Sequence, residues 1–202
     1  MQGRLKVVPA GNVLEAKIAS RPPRFIKPSV QTGNRKVGVK YEQKAQDYIQ
    51  LQADKLDDQS PGVKVSHSPW LVFRSEGDQP DHVRYCQPDC LLIDEWQRKL
   101  TIIEIKLQHC VEAHDQVRKL YEPVLKLMYP DYLFAALELV QWHDPHINFP
   151  ETYYFEPNIF EAQVNKFAIH IWNPRYDKLS VLPKSIQAAP STLAKKTPPS
   201  YG

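Results

Sequence analysis

Two rhythms of apolar positions run through this chain. Residues 63–75, "VKVSHSPWLVFRS", alternate in strand fashion, with Pro69 marking an edge or a bulge. The polar stretch "EGDQPD" at 76–81 closes this strand as a turn. Two further strands are expected at about 83–94 and 99–108, joined by "EWQR". The slower rhythm predicts helices. Residues 39–56, "VKYEQKAQDYIQLQADKL", place Glu42, Ala45, Ile49, Ala53 and Leu56 on one face, and "DDQSPG" stops the helix. Residues 111–128 place Val117, Leu120, Tyr121, Val124 and Met128 on another, and "YPD" ends it. Residues 132–142, "YLFAALELVQW", suit either element and are read as a buried strand. Beyond a Pro-rich crossover come "ETYYFEP", then "KFAIHIWNP" as a strand and "KLSVLP" as a short edge strand.

This order predicts an α/β fold with a central mixed sheet flanked by helices. The predicted division is a basic, Pro-rich N-terminal arm over 1–36, a folded domain over 37–183, and a flexible tail over 184–202 with the composition of a disordered segment. There is no internal repeat.

The two strands around "EWQR" carry charges that their apolar context does not explain. Pairing Asp94 with Lys99 makes position numbers across the hairpin sum to 193, and Asp89 with Glu104 satisfies the same sum. That register sets two carboxylates opposite one another, with Cβ atoms about 5 Å apart. Alternation puts Lys106 on the same face as Glu104, and Ile103, Ile105 and Leu107 on the other. "CLLID" continues as an almost unbroken apolar strand, of the kind covered on both faces. Two acids there repel unless a cation lies between them. Lys106 supplies one positive charge and a divalent metal would supply the rest.

Charge along the chain is uneven. Of 26 basic and 23 acidic residues, nine basic and one acidic fall within the first 40, so that segment carries +8 and the remainder −5. A basic arm on an acidic body suits a polyanion or an acidic partner surface. Three cysteines, Cys86, Cys90 and Cys110, are an odd number with poor zinc spacing, and read better as small buried thiols than as a metal site or a disulfide framework. No apolar run reaches the length of a membrane span, and the first residues lack the apolar core of a signal peptide, so a cytoplasmic setting without membrane contact is expected. No glycine-rich phosphate loop of the Walker type occurs.

Pro88-Asp89, followed fifteen positions after Asp89 by Glu104-Ile105-Lys106, resembles the signature of the PD-(D/E)XK nuclease superfamily. That superfamily includes RecB-type and lambda-exonuclease-type nucleases, many restriction endonucleases, archaeal junction resolvases and the endonuclease subunit of heteromeric transposases. Its order is helix–strand–strand–strand–helix–strand, in which residues 39–142 can be read. The resemblance implies a restriction-endonuclease-like core and a Mg²⁺- or Mn²⁺-dependent DNA nuclease. Asp89, Glu104 and the Ile105 carbonyl would hold the metal, and Glu42 would complete its shell or hold a second ion. Lys106 would orient the attacking water and counter charge at the phosphate. Gln116 would stand near the site. RecB-like members carry Gln-x-x-x-Tyr in this helix. Here Tyr121 follows Gln116 by five residues, one more than the pattern, and reads as a core residue.

DNA is the expected partner, met by Arg35, Lys36 and Lys40 before and in the first helix, by His109, and by Arg118 and Lys119. Other subunits of a DNA-processing complex are a further expectation, because the basic arm and the Pro-rich tail suit docking. Two alternatives stand beside the enzyme: a catalytically silent nuclease-like protein that binds nucleic acid or assembles into a larger complex, and a regulator that binds metal through its cysteines.

Overall fold

Leu100 and Ile102 face one way from the strand at 99–108 and Ile103 and Ile105 the other, and all four are buried. A strand apolar on both faces needs cover on both. In the computed structural model, which describes residues 7–23, 32–58, 62–142, 152–154 and 167–172, that cover is a helix on one side and a broken helix with a small sheet on the other.

The elements in chain order are β1 (Val13–Ile18), α1 (Gly33–Asp57), β2 (Val63–His67), β3 (Leu71–Ser75), β4 (Arg84–Cys86), β5 (Cys90–Asp94), β6 (Lys99–Gln108), α2 (Val111–Gln116), a π-helical turn (Val117–Tyr121), α3 (Glu122–Met128), β7 (Leu133–Trp142), β8 (Thr152–Tyr154) and β9 (Phe167–Ile171). The protein is therefore α/β. A six-stranded mixed sheet has the order β2-β5-β6-β7-β9-β8, and a three-stranded antiparallel sheet the order β1-β3-β4. In the large sheet β2, β5 and β6 are successively antiparallel, and β7 runs parallel to β6 across the α2–α3 crossover.

Tyr41, Ala45, Ile49 and Ala53 of α1 pack on Cys90, Leu92, Ile103, Ile105, Leu137 and Leu139. On the opposite face, Val117, Tyr121, Val124 and Leu125 join Leu71, Phe73 and Cys86 of the small sheet over Leu91, Ile93, Leu100, Ile102 and Ala136. Tyr41 donates from its hydroxyl to the Trp172 carbonyl at 2.9 Å, and Tyr48 stacks on the Trp172 ring with centroids 4.5 Å apart, so α1 is also tied to the end of β9. The β5–β6 hairpin has the expected register, Asp94 opposite Lys99, and Asp94 Oδ1 accepts the Gln97 N–H at 2.8 Å to shape its turn.

Four boundaries differ from the sequence reading. The strand expected over 63–75 is two strands in different sheets. Ser68, with φ of 45°, and Pro69 turn the chain out of the large sheet and into the small one. The strand expected over 83–94 is likewise split, because Gln87, Pro88 and Asp89 pair with neither sheet. The first helix begins at Gly33 rather than at 39, taking in the last four residues of the expected arm. The helix at 111–128 contains the π turn, which inserts one residue into the α repeat.

Residues 13–18, placed in the arm from sequence, form the edge strand β1 on β3. The arm is also fastened ahead of it. Ala10 is buried, its N–H reaches the Lys119 carbonyl at 2.8 Å, and Arg84 donates to the Pro9 and Ala10 carbonyls. Residues 1–6 and 24–31 of the arm, the "KLSVLP" strand and the C-terminal tail lie outside the described residues. No described helix is long and apolar enough to cross a membrane.

Ile49→Ala empties a fully buried position under the sheet and is expected to cost about 2–5 kcal/mol in urea unfolding. Leu51→Ala, on the half-exposed side of the same helix, is expected to change stability by less than about 0.5 kcal/mol.

Candidate active site

The β5–β6 ladder ends at Cys90 opposite Ile103. One residue further, Asp89 lies outside any strand, yet its side chain continues the pairing. Asp89 Oδ2 accepts the Ile105 N–H at 2.7 Å, the bond a main-chain carbonyl would otherwise take. The Asp89 carbonyl is turned the other way, accepting from the Ser68 N–H at 2.9 Å and from Gln46 Nε2 at 3.3 Å. Within a strand the N–H and C=O of one residue point to the same edge. The Ile105 carbonyl is therefore on the Asp89 edge.

Lys106 joins the two carboxylates. Its Nζ donates to Glu104 Oε2 at 2.7 Å and to Asp89 Oδ2 at 3.1 Å. Glu104 is the floor, with its side chain 1% exposed, while Asp89 and Lys106 keep 21% and 28% exposure at the opening. The second oxygen of Glu104, Oε1, is buried without a hydrogen-bond partner. Desolvation pushes the Glu104 pKa up to about 7, and the Asp89 charge adds to it against the opposing pull of Lys106. Desolvation alone would lower Lys106, but the charges of Glu104 and Asp89 outweigh it and hold the ammonium protonated.

α1 brings Glu42 to the same opening. Its pKa is raised by burial first and then by the Asp89 charge, with Lys106 and a hydrogen bond from Ser68 opposing. Gln46, one turn on, reaches Glu42 Oε1 at 3.5 Å and Ser68 Oγ at 3.0 Å. The Gln87–Asp89 segment is held from its other side by the broken helix. The Tyr121 hydroxyl donates to the Gln87 carbonyl at 2.9 Å, and Gln116 Nε2 donates to that hydroxyl. In a π turn, residues five apart lie one above the other. The turn thus brings Gln116 and Tyr121 together despite their longer spacing.

Asp89, Glu104, Lys106, Ile105 and Glu42 are accordingly gathered in one place, with Gln116 linked to it through Tyr121 and Gln87. The expected nucleic-acid contacts are scattered. Arg35, Lys36 and Lys40 are exposed along the first turns of α1, near the end of β6 that carries Lys106. Arg118 is paired with Glu122 at 2.8 Å and Lys119 with Asp115 at 2.9 Å, so their charges are locally balanced. His109, expected to meet a phosphate, is instead buried at 4% exposure, where its Nδ1–H donates to Glu138. Cys86 and Cys90 are buried, Cys110 is half-buried, and all three are free thiols; desolvation pushes Cys86 up to about 12.

Sequence reasoning missed Glu138, which pairs in register with Glu104 on the adjacent parallel strand and is fully buried. The signal was present, since an acid interrupts the apolar run "FAALELV" as Glu104 interrupts "TIIEIKL". Gln46 and Ser68, which hold the Asp89 carbonyl, and Gln87, whose Nε2 donates to the Ser68 carbonyl at 2.7 Å, carried no comparable signal. Among the described residues no group of three or more His, Cys, Asp or Glu side chains converges tightly enough to form a ready metal cluster. Comparison with protein-family models, with curated proteins and with solved structures returned no match.

Two outcomes follow from this geometry. A carboxyl whose folded pKa is raised stays protonated in the native state after the unfolded chain has released its proton, so it removes stability as pH rises from about 4.5 through 7. Urea midpoints in EDTA should therefore fall between pH 5 and pH 8 for the wild type and fall less for Glu104→Gln; parallel curves would refute the assignment. Tyr121→Phe deprives the Gln87 carbonyl of its donor and is expected to cost about 1–3 kcal/mol in the same measurement.

Proposed function

We propose that this protein is a metal-dependent DNA nuclease with a PD-(D/E)XK-type, restriction-endonuclease-like core. The observation that carries the reading is the convergence of Asp89, Glu104 and Lys106 through hydrogen bonds of 2.7–3.1 Å at the end of a β-hairpin. Once β3 and β4 of the small sheet are set aside as an insertion between β2 and β5, helix α1, the antiparallel β2-β5-β6 ribbon, the α2–α3 crossover and the parallel strand β7 are compatible with the helix–strand–strand–strand–helix–strand order that the resemblance implies. The π turn that lets Gln116 meet Tyr121 across a five-residue spacing supports the reading, because the RecB-like pattern carries the same pair of residue types one position closer.

The donor set suits Mg²⁺ or Mn²⁺: hard carboxylate oxygens, a strand-edge carbonyl and a buried carboxylate oxygen without a partner. Asp89, Glu104 and the Ile105 carbonyl would hold the ion, with Glu42 beside them. Bound there, such an ion supplies a water of lowered pKa and neutralises charge at the phosphate. Lys106 presents its ammonium at the opening, where it offsets negative charge on a phosphate and orients a water by hydrogen bonding. Asp89 and Glu104 keep that ammonium protonated and aimed. Arg35, Lys36 and Lys40, on the N-terminal turns of α1, would hold DNA phosphates, adding to the positive end of the helix dipole. The reading places the protein in the cytoplasm, acting on DNA in recombination, repair, transposition or phage DNA processing.

A second reading has its own support. Lys106 already bridges Asp89 and Glu104 without a metal, and such a network suits a nuclease-like protein retained for binding DNA or for assembly with other subunits.

Linear, nicked and single-stranded DNA incubated with Mg²⁺, Mn²⁺ or EDTA separates the two. The enzyme reading expects cutting that needs the metal and drops at least about 100-fold in Glu104→Ala and Lys106→Ala. Salt-sensitive binding without cutting, indifferent to both substitutions, would establish the silent protein instead.

A further inference from the structure

Lys106 has a second neighbourhood. Besides meeting Asp89 and Glu104, it lines a cavity of about 930 Å³ between the three-stranded sheet and α2. Trp70, just ahead of β3, Phe73 of β3 and Tyr85 of β4 line it from the sheet side, and Gln116 from the helix side. Arg84 straps the arm along the rim by donating to the Pro9 and Ala10 carbonyls, and its guanidinium lies 4.8 Å from the Phe73 ring centroid. Lys106 and Arg84 are the cations of the lining and Glu112 its acid, while the Lys106 ammonium also holds Asp89 and Glu104.

The volume is that of a small-ligand site, about 300–1,000 Å³, and excludes a duplex. Aromatic rings at a cationic opening are the means by which proteins hold unpaired bases without reading their sequence. We propose that this cavity receives the unpaired end of a DNA strand, a base seated against Trp70 and Tyr85 and its phosphate brought to Lys106. The proposal rests on the nuclease reading and deepens it: the substrate is a single strand, or a duplex with a frayed or tailed end. The small sheet and the fastened arm are then the device that selects it.

Binding is tested with the full-length wild type in EDTA, where no cutting interferes. The probes are a labelled duplex with an unpaired oligothymidine DNA tail, the same duplex blunt, and one with an RNA tail, all at one salt concentration. The DNA-tailed duplex is expected to bind about tenfold more tightly than the blunt one. Trp70→Leu, which keeps apolar bulk but loses the ring, is expected to abolish that margin, and Trp70→Phe to keep most of it. Tyr85→Leu carries the test if Trp70→Leu fails a circular-dichroism check of folding. Equal binding of tailed and blunt duplexes, a margin unchanged in the folded leucine variant, or tighter binding of the RNA tail would overturn the proposal. The two readings fail separately. Wild type with Mg²⁺ that cuts blunt and tailed DNA alike overturns the cavity proposal and spares the nuclease. A persistent tail preference without any cutting overturns the nuclease and supports the cavity as a single-strand site.

Discussion

One carboxylate standing in for a strand governs the local architecture. Pro88 lacks a main-chain N–H, and Asp89 turns its carbonyl toward Ser68 and Gln46, so β5 stops at Cys90 while β6 runs on. The exposed edge of β6 would then carry an unmet N–H at Ile105. Asp89 Oδ2 meets it at 2.7 Å and so fixes its own position to the strand that bears Glu104 and Lys106. A backbone donor is a rigid anchor, and three functional groups inherit their spacing from it. Lys106 contributes the charge without which the arrangement would repel itself.

Burial sets the electrostatic character of the site. Glu104 is shut beneath Asp89 and Lys106, and desolvation raises its pKa toward neutrality even with an ammonium 2.7 Å away. A buried ion pair of this kind is a poor source of stability, since desolvation offsets most of the attraction. It also leaves Glu104 Oε1 buried without a hydrogen-bond partner, which adds a further cost. The neighbouring acid, Glu138, shows the alternative: equally buried, it is met by His109 and by the Cys110 N–H, and turns to structural use.

What was legible in the sequence was periodic. The hairpin register followed from a four-residue connection, and the partition of Ile103 and Ile105 from Glu104 and Lys106 followed from strand alternation. Ala45, Ile49 and Ala53 marked the buried face of α1. What was not legible was where one apolar run serves two sheets. "VKVSHSPWLVFRS" keeps its alternation straight through Ser68 and Pro69, because β2 and β3 each need it, although they belong to different layers. Pro69 signalled an edge or a bulge, but the change of sheet turns on a backbone angle at Ser68 that a local pattern does not encode. β1 escaped for another reason: four of its six residues are apolar, but only Val13 and Ala16 are partly buried, and their spacing of three is not strand alternation. His109 misled for a related reason: a histidine at a strand end reads as exposed until a carboxylate from another strand is found against it.

The π turn connects these layers. An uninterrupted α-helix from Val111 to Met128 would set Gln116 and Tyr121 about 500° apart around its axis, on different faces. A wider turn at Val117–Tyr121 brings them into one line while Val124 and Leu125 stay packed on the sheet. Tyr121 then does two things with one side chain. Its ring fills the core, 1% exposed, and its hydroxyl holds the Gln87 carbonyl, two residues from Asp89. An inserted residue in a helix interrupts its hydrogen-bond repeat, and such turns concentrate at functional sites. Here the interruption supports the strand break at Gln87–Asp89 from above, as Gln46 and Ser68 support it from the side of α1. The gap that lets Asp89 leave its strand is thus pinned from both faces of the sheet, and the helix defect and the strand defect form one structural unit.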